Sequence, residues 1–109
     1  MDIEIKTNNK SLIFEILDKN SASVSDSIDI PGNAKLIYNG TFICKSFGIP
    51  ETINFTLNFG SGVAAGLIAN WIYDKLKNKT EKISINRTEI KLDKEHIKRI
   101  IEESIKIRK

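Results

Sequence analysis

Residues 60–76 read GSGVAAGLIANWIYDKL, and this stretch is the most informative part of the 109-residue chain. Its large apolar side chains recur at helical spacing on one broad stripe, formed by Val63, Leu67, Ile68, Trp71, Ile72 and Leu76. A second stripe consists of small residues, namely Gly62, Gly66 and Ala69. Each glycine inside a helix costs roughly 1 kcal/mol relative to alanine, whereas small residues four positions apart allow another backbone to approach closely. The stretch therefore predicts a helix whose small-residue stripe packs against a neighbour.

Two neighbours are open for this stripe: the domain's own sheet or C-terminal helix, and a second protein chain. For the second case we assign a candidate interaction face to Gly62, Gly66, Ala69, Asn70 and Tyr73. Contact with a protein partner, or self-association into a homo-oligomer, is then the expected use of the helix, because small side chains permit close packing between helices.

The same stretch carries two weaker signals. Gly62 to Tyr73 gives only 12 residues without a formal charge, and a membrane-spanning helix needs about 20. The glycines at 60, 62 and 66 miss the dinucleotide-binding spacing G-x-G-x-x-G by one residue, and no Gly-Lys-Ser/Thr follows them. We therefore expect no transmembrane span, no cofactor and no small-molecule substrate.

The composition is that of an ordinary small globular protein, with 40% hydrophobic and 28% charged residues. One cysteine (Cys44) cannot form an internal disulfide, and together with one histidine (His96) it cannot build a structural zinc site. The N-terminus has no signal-peptide pattern. We expect a single cytoplasmic α+β domain over residues 1–109, with a mixed or antiparallel sheet and about three helices.

Hydrophobic periodicity predicts most elements of the first half. Ile3 and Ile5 alternate with charged residues, as in a half-buried strand. Leu12 to Leu17 has helical spacing and predicts a short helix ending near Asn20, and a brief strand is expected at 27–30. Asn39-Gly40 separates two β-prone runs, which predicts a hairpin over 35–45 with a type I′ turn.

The second half ends in a hairpin and a helix. A hairpin over 82–92 admits two registers, because a turn at Arg87-Thr88 matches isoleucines better while a turn at Asn86-Arg87 has better turn chemistry. An amphipathic C-terminal helix is expected over 93–108, with Asp93 as its N-cap. Its apolar stripe consists of Ile97, Ile100, Ile101 and Ile105.

Residues 50–59 give conflicting signals. Ile53, Phe55 and Leu57 alternate with polar residues, which is typical of a strand. However, the block with Gly-Ile-Pro-Glu at 48–51, Gly-Ser-Gly at 60–62 and a following hairpin resembles the effector-associated constant component modules of bacterial conflict systems. The resemblance covers residues 48–92. It implies a helix at 50–59, so we expect one glycine-hinged helix over 50–77, and it implies a non-enzymatic adaptor role in bacterial or mobile-element defence.

The net charge of +3 is unevenly distributed. Residues 1–59 carry five lysines against seven acids, or −2, while residues 60–109 carry twelve lysines and arginines against seven acids, or +5. This excess favours nucleic-acid binding as an alternative function, through a candidate basic patch at Lys75, Lys77, Lys79, Lys82 and Arg87. No motif brings titratable groups together as a catalytic site would, so we expect an interaction module and not an enzyme.

Overall fold

Six strands form one antiparallel sheet in the computed structural model, which describes residues 1–43 and 48–108. The strands are β1 (Asp2–Thr7), β2 (Ser27–Ile30), β3 (Ala34–Phe42), β4 (Glu51–Phe59), β5 (Lys82–Ile85) and β6 (Thr88–Ile90). The helices are α1 (Leu12–Leu17), α2 (Ala65–Leu76) and α3 (Lys94–Arg108). The strand order is β2-β3-β4-β1-β5-β6. The expected α+β fold with three helices is confirmed.

One face of the sheet supplies the core. Ile3 lies between Phe55 of β4 and Ile85 of β5, and Ile5 lies between Ile53 and Ile83 in the next row of that face. The helices add their own buried side chains to the same cluster, which are Leu12, Ile13, Ile16, Leu17, Ile68, Ala69, Ile72, Leu76, Ile97 and Ile101. Because burial of each large aliphatic side chain contributes about 1.5–3 kcal/mol, this cluster fixes all three helices on one side of the sheet.

The expected helix over residues 50–59 is wrong. These residues form β4, which pairs with β1 on one side and with β3 on the other. Ile53, Phe55 and Leu57 are each 1% exposed, so the period-2 alternation describes the segment correctly. Its backbone groups are satisfied by two neighbouring strands, and a helix would turn its polar residues toward the core. The helix that follows begins at Ala65, so no helix extends over 50–77.

The expected hairpin over 35–45 is also wrong. β3 continues through Asn39-Gly40, and the pairing with β4 shifts between Tyr38 and Gly40 as a β-bulge. Gly40 has φ +115°, so the Asn-Gly pair accommodates an irregular strand position and not a turn. The chain turns earlier, at residues 31–33 between β2 and β3. Cys44, the last residue of the expected second strand, lies outside the described residues.

The other elements follow the sequence patterns. β5 and β6 form the expected hairpin, with Asn86 at φ 49° and Arg87 at φ 69°. Ile85 therefore faces Thr88, and Ile83 faces Ile90, so turn chemistry selects the register over the matching of isoleucines. α1 ends at Leu17, three residues before the expected end near Asn20, because Asp18 adopts a left-handed conformation.

The turn between β2 and β3 holds the start of α2. The Ala64 amide donates to the Gly32 carbonyl (2.9 Å), and the Gly60 amide donates to the Asn33 carbonyl (2.7 Å). Gly32 has φ +99°, and a Cβ atom there would lie 2.7 Å from the Ala64 oxygen and 2.8 Å from Ile68 Cγ1. Only glycine fits this contact, since both the space and the backbone conformation exclude a side chain.

Candidate interaction surface

The structure separates the five residues of the candidate interaction face. Ala69 is 1% exposed and belongs to the core. Gly66 is half-buried, and a Cβ atom there would have Lys98 Cε of α3 as its nearest neighbour at 3.9 Å. Tyr73 is half-buried as well, with Lys94 Nζ of α3 5.3 Å from its ring centroid. Part of the small-residue stripe is thus in contact with α3.

The other two residues of that face are accessible. Gly62 is exposed in the turn before α2, with φ +66°. Asn70 is exposed near the middle of α2. Only these two remain available to another chain without any rearrangement of α3.

The candidate basic patch is largely paired with acids. Lys77 lies 3.8 Å from Asp74, Lys79 lies 3.2 Å from Glu15, and Lys82 lies 3.6 Å from Glu89. These exposed pairs contribute little to stability. Each carboxylate, however, competes with a phosphate group for contact with its lysine.

The two remaining cations of the patch lie in different surroundings. Lys75 Nζ lies 5.6 Å from the Trp71 ring centroid and donates to the Glu15 carbonyl at 3.4 Å. Arg87 is exposed in the turn between β5 and β6. Three of the five cations thus have an acidic neighbour within 4.0 Å.

The uncovered face is our name for the side of the sheet opposite the three helices. Its residues follow from the strand registers and include Asp2, Glu4, Lys6, Lys35, Ile37, Thr52, Asn54, Thr56, Asn58, Lys82, Ser84 and Glu89. Side-chain hydrogen bonds order its centre, where Asn39 Nδ2 donates to Thr56 Oγ1 at 2.6 Å. The face is mostly polar, as is common for antiparallel sheets with helices on one side only.

One corner of the uncovered face differs from the rest. A cross-strand row there contains Phe42, Thr52, Lys6 and Lys82 on β3, β4, β1 and β5. Phe42 is 68% exposed and Ile49 is 50% exposed. We call the adjoining depression of about 550 Å³ the corner groove, and it is lined by Lys6, Asn8, Phe42, Gly48, Ile49, Pro50, Thr52, Glu81 and Lys82.

Exposed apolar side chains concentrate at this corner. Seven large hydrophobic residues are exposed among the described residues, and Phe42, Ile43 and Ile49 are three of them. A fourth, Val24, lies beside β3, with its Cγ2 3.6 Å from the position of a Cβ atom on Gly40. A cluster of this kind at the edge of a polar face is typical of a binding surface.

The opposite end of the corner groove is positively charged. Lys6 and Lys82 are direct cross-strand partners, an arrangement in which like charges repel each other. Lys82 has Glu89 as its acidic neighbour, while Glu81 Oε1 accepts a hydrogen bond from Asn8 Nδ2 at 3.3 Å. Within the described part of the chain, no carboxylate lies within 4.0 Å of Lys6 Nζ.

Sequence reasoning missed Lys6, Phe42 and Ile49. Lys6 and Lys82 are 76 positions apart, and only the register between β1 and β5 brings them together. The sequence pattern places Phe42 in a hairpin strand, where nothing distinguishes it from a core residue. Its exposure follows from the bulge in β3, which places Phe42 opposite Thr52 on the polar face.

Two features of the titratable side chains among the described residues bear on chemistry: their mutual contacts and their geometry as metal ligands. His96 Nδ1 lies 2.8 Å from Asp93 Oδ2 at the start of α3, and this hydrogen bond holds the pKa of Asp93 below its usual 3.8. Across residues 1–43 and 48–108, no group of three or more His, Cys, Asp or Glu side chains is arranged to hold a metal ion.

Comparisons with known protein families, with curated proteins and with solved structures found no match to this chain. In the parts of the chain that the structure covers, no helix has both the length and the apolar character needed to cross a membrane. Fold and surface are therefore the basis for any functional conclusion, and they define a small α+β protein whose sheet has one uncovered face.

Proposed function

We propose that this chain is a non-enzymatic protein-interaction module that contacts its partner through the uncovered face of its sheet. The observation that carries the proposal is the exposure of Phe42 and Ile49 at one corner of a face that is otherwise polar. A polar sheet face can remain exposed to solvent and is not by itself evidence of a binding partner. A cluster of large apolar side chains next to it supports a protein contact, because such interfaces combine an apolar centre with a polar rim.

The earlier candidate face on α2 supports a homo-oligomer less well. Ala69 is part of the protein's own core, and Gly66 and Tyr73 face α3. We therefore favour a different protein as the partner. A role as an adaptor in bacterial or mobile-element defence rests on the resemblance of residues 48–92 alone, and the strand at 51–59 removes the first helix that the resemblance implied.

A matched pair of substitutions tests which surface is used. Asn54 lies on β4 in the centre of the uncovered face, and Asn70 lies on the exposed side of α2. A binding selection against a library of protein fragments supplies the partners. We expect Asn54→Arg to abolish binding of the selected fragments and Asn70→Arg to leave it unchanged, with the same melting temperature for both variants.

Two results would contradict the proposal. Loss of binding in Asn70→Arg alone would return the site to α2. A gel shift with DNA or RNA at about 50 mM salt that disappears at higher salt would favour the nucleic-acid alternative, since phosphate contacts depend steeply on salt. We expect no shift, because three lysines of the candidate basic patch already have acidic neighbours.

A further inference from the structure

We propose that the corner groove binds an extended peptide segment of the partner, in which an apolar side chain and a carboxylate lie four residues apart. The inference rests on the proposed function and names the partner's chemistry. It combines three observations: the two unlike ends of the groove, the opposed lysines, and the distance between them.

The apolar end of the groove fits one side chain. Phe42 and Ile49 are at least half exposed, and Pro50 completes that wall. An aliphatic or aromatic side chain placed here would shield Phe42, Ile49 and Pro50 from water. A buried apolar anchor of this kind usually contributes most of the binding energy of a contact.

The charged end of the groove fits one carboxylate. Lys6 and Lys82 are opposed across two strands, and Lys6 has no carboxylate within 4.0 Å among the described residues. An acidic group there would make a charge-assisted hydrogen bond to Lys6, and it would share Lys82 with Glu89, whose Oε1 lies 3.6 Å from Lys82 Nζ.

The surroundings of the groove favour a single carboxylate over a polyanion. The uncovered face carries the acids Asp2, Glu4, Asp29 and Glu89 against the lysines 6, 35 and 82, so four negative charges stand against three positive charges. A phosphate backbone that crossed this face would meet all four carboxylates, whereas one acidic side chain at the corner would meet only Glu89, which is paired with Lys82, and Glu81, which accepts a hydrogen bond from Asn8.

The spacing follows from strand geometry. Phe42 is two strands away from Lys6 and three strands away from Lys82, which corresponds to about 10 and about 14 Å at roughly 4.8 Å per strand. An extended peptide advances about 3.3 Å per residue. An extended segment that crosses the strands covers about 13 Å in four residues, which reaches from the apolar wall to the point between the lysines, and side chains four residues apart point to the same face.

The test is a selection from a library of random 12-residue peptides on phage, with the full chain as the target. We expect enriched peptides to carry Asp or Glu four positions from a Leu, Ile, Phe or Met, because only an even spacing places both side chains on one face of an extended peptide. For a synthetic peptide of the enriched sequence, we expect Lys6→Glu to weaken binding about five- to tenfold, since a favourable charge contact becomes a repulsive one. Phe42→Ser should weaken it by at least as much.

Lys35→Glu is the matched control, because Lys35 lies on the same face outside the groove and has Asp29 at 3.8 Å. It should leave the affinity of the peptide unchanged. Enriched peptides without the spacing, or with affinities that ignore Phe42 and Lys6, would overturn the groove. If those peptides still lose binding in Asn54→Arg, the proposed function stands while this inference fails. Binding of a single-stranded oligonucleotide, with no peptide enriched, would overturn both.

Discussion

Two glycines lie at the start of α2 and have opposite roles: Gly32 packs against the helix from outside, and Gly66 belongs to it. Gly32, in the turn between β2 and β3, leaves no room for a Cβ atom and has a positive φ. Gly66, in α2 itself, has its nearest neighbour at 3.9 Å from the position of a Cβ atom, and that neighbour is the flexible end of Lys98. The start of α2 is thus tightly fixed by the turn, whereas its contact with α3 at Gly66 is loose.

A glycine in a helical pattern does not by itself indicate close packing, and a glycine in an ordinary turn can be sterically required. The glycine pattern within 60–76 drew attention to Gly66, because a glycine inside a helix lowers stability unless close packing uses it. The indispensable glycine lies 34 positions earlier, in a Pro-Gly-Asn turn of ordinary appearance. Its necessity comes from a tertiary contact with Ala64 and Ile68.

The largest expected effect is that of Gly32→Ala. The added Cβ would overlap the Ala64 oxygen and Ile68 Cγ1 and would occupy a backbone conformation that L-residues avoid. Overpacking and positive φ together should lower the free energy of unfolding by about 2–4 kcal/mol. Urea unfolding followed by circular dichroism measures it. A variant as stable as the wild type would show that the turn does not hold the start of α2.

The second prediction has the opposite sign. Gly66→Ala places a methyl group in ordinary contact with Lys98 Cε and gains helix propensity. Because Gly66 is the second residue of α2, the free energy of unfolding should rise by about 0.5–1 kcal/mol, up to the value for a helix interior. The same urea titration measures the change. Destabilisation would mean that α2 and α3 pack more closely at Gly66 than the 3.9 Å distance indicates.

Much of this fold is readable from the sequence because most of its strands alternate between apolar and polar residues. The alternation of Ile53, Phe55 and Leu57 with polar residues correctly predicts β4. The resemblance to a known module predicts a helix there instead, and that prediction rests on similarity of spacing and not on the periodicity of these residues. Asn39-Gly40 was misread for another reason, since the same pair suits a turn and a bulge, and only the partners of β3 decide between them.

The candidate site was less predictable than the fold. The pairing of Lys6 with Lys82 and the exposure of Phe42 depend on registers between strands that are far apart in the chain. Local periodicity indicates which face of a strand is buried, but it does not indicate which strands are neighbours. The same limit applies to the candidate basic patch, because Glu15 and Glu89 approach its lysines from other elements of the fold.

The third prediction concerns Arg87, a position where the backbone has a positive φ but the residue is not glycine. Arg87 has φ 69° in the turn between β5 and β6, the second central position of a type I′ turn, which favours glycine. Arg87→Gly should relieve backbone strain and, after the larger loss of chain entropy on folding, stabilise the protein by about 0.5 kcal/mol. Thermal unfolding measures the shift, and a lower melting temperature would indicate that the Arg87 side chain makes a stabilising contact.

The smallest expected effect compares the starts of two helices. α2 has no side-chain cap, since its N-cap residue is Ala64. α3 begins after Asp93, whose Oδ1 accepts a hydrogen bond from the Glu95 amide at 3.4 Å and whose Oδ2 lies 2.8 Å from His96 Nδ1. The hydrogen bond with His96 is the main reason that the pKa of Asp93 is lowered. Only the start of α3 should therefore respond to acid through its cap.

The sign of this response follows from the direction of the pKa change. Because the pKa of Asp93 in the folded protein lies below its usual 3.8, the ionised carboxylate stabilises the fold above that value. The contribution is lost as the pH falls through the lowered pKa. Asp93→Asn keeps a capping oxygen but removes the charge, so it should flatten the dependence of the unfolding free energy on pH below about 4. Urea titrations of both proteins across this acid range measure the difference, with Glu102→Gln as the control because Glu102 is an exposed carboxylate of α3 away from the start of the helix. Equal pH dependence in wild type and Asp93→Asn would show that the hydrogen bond with His96 does not persist in solution.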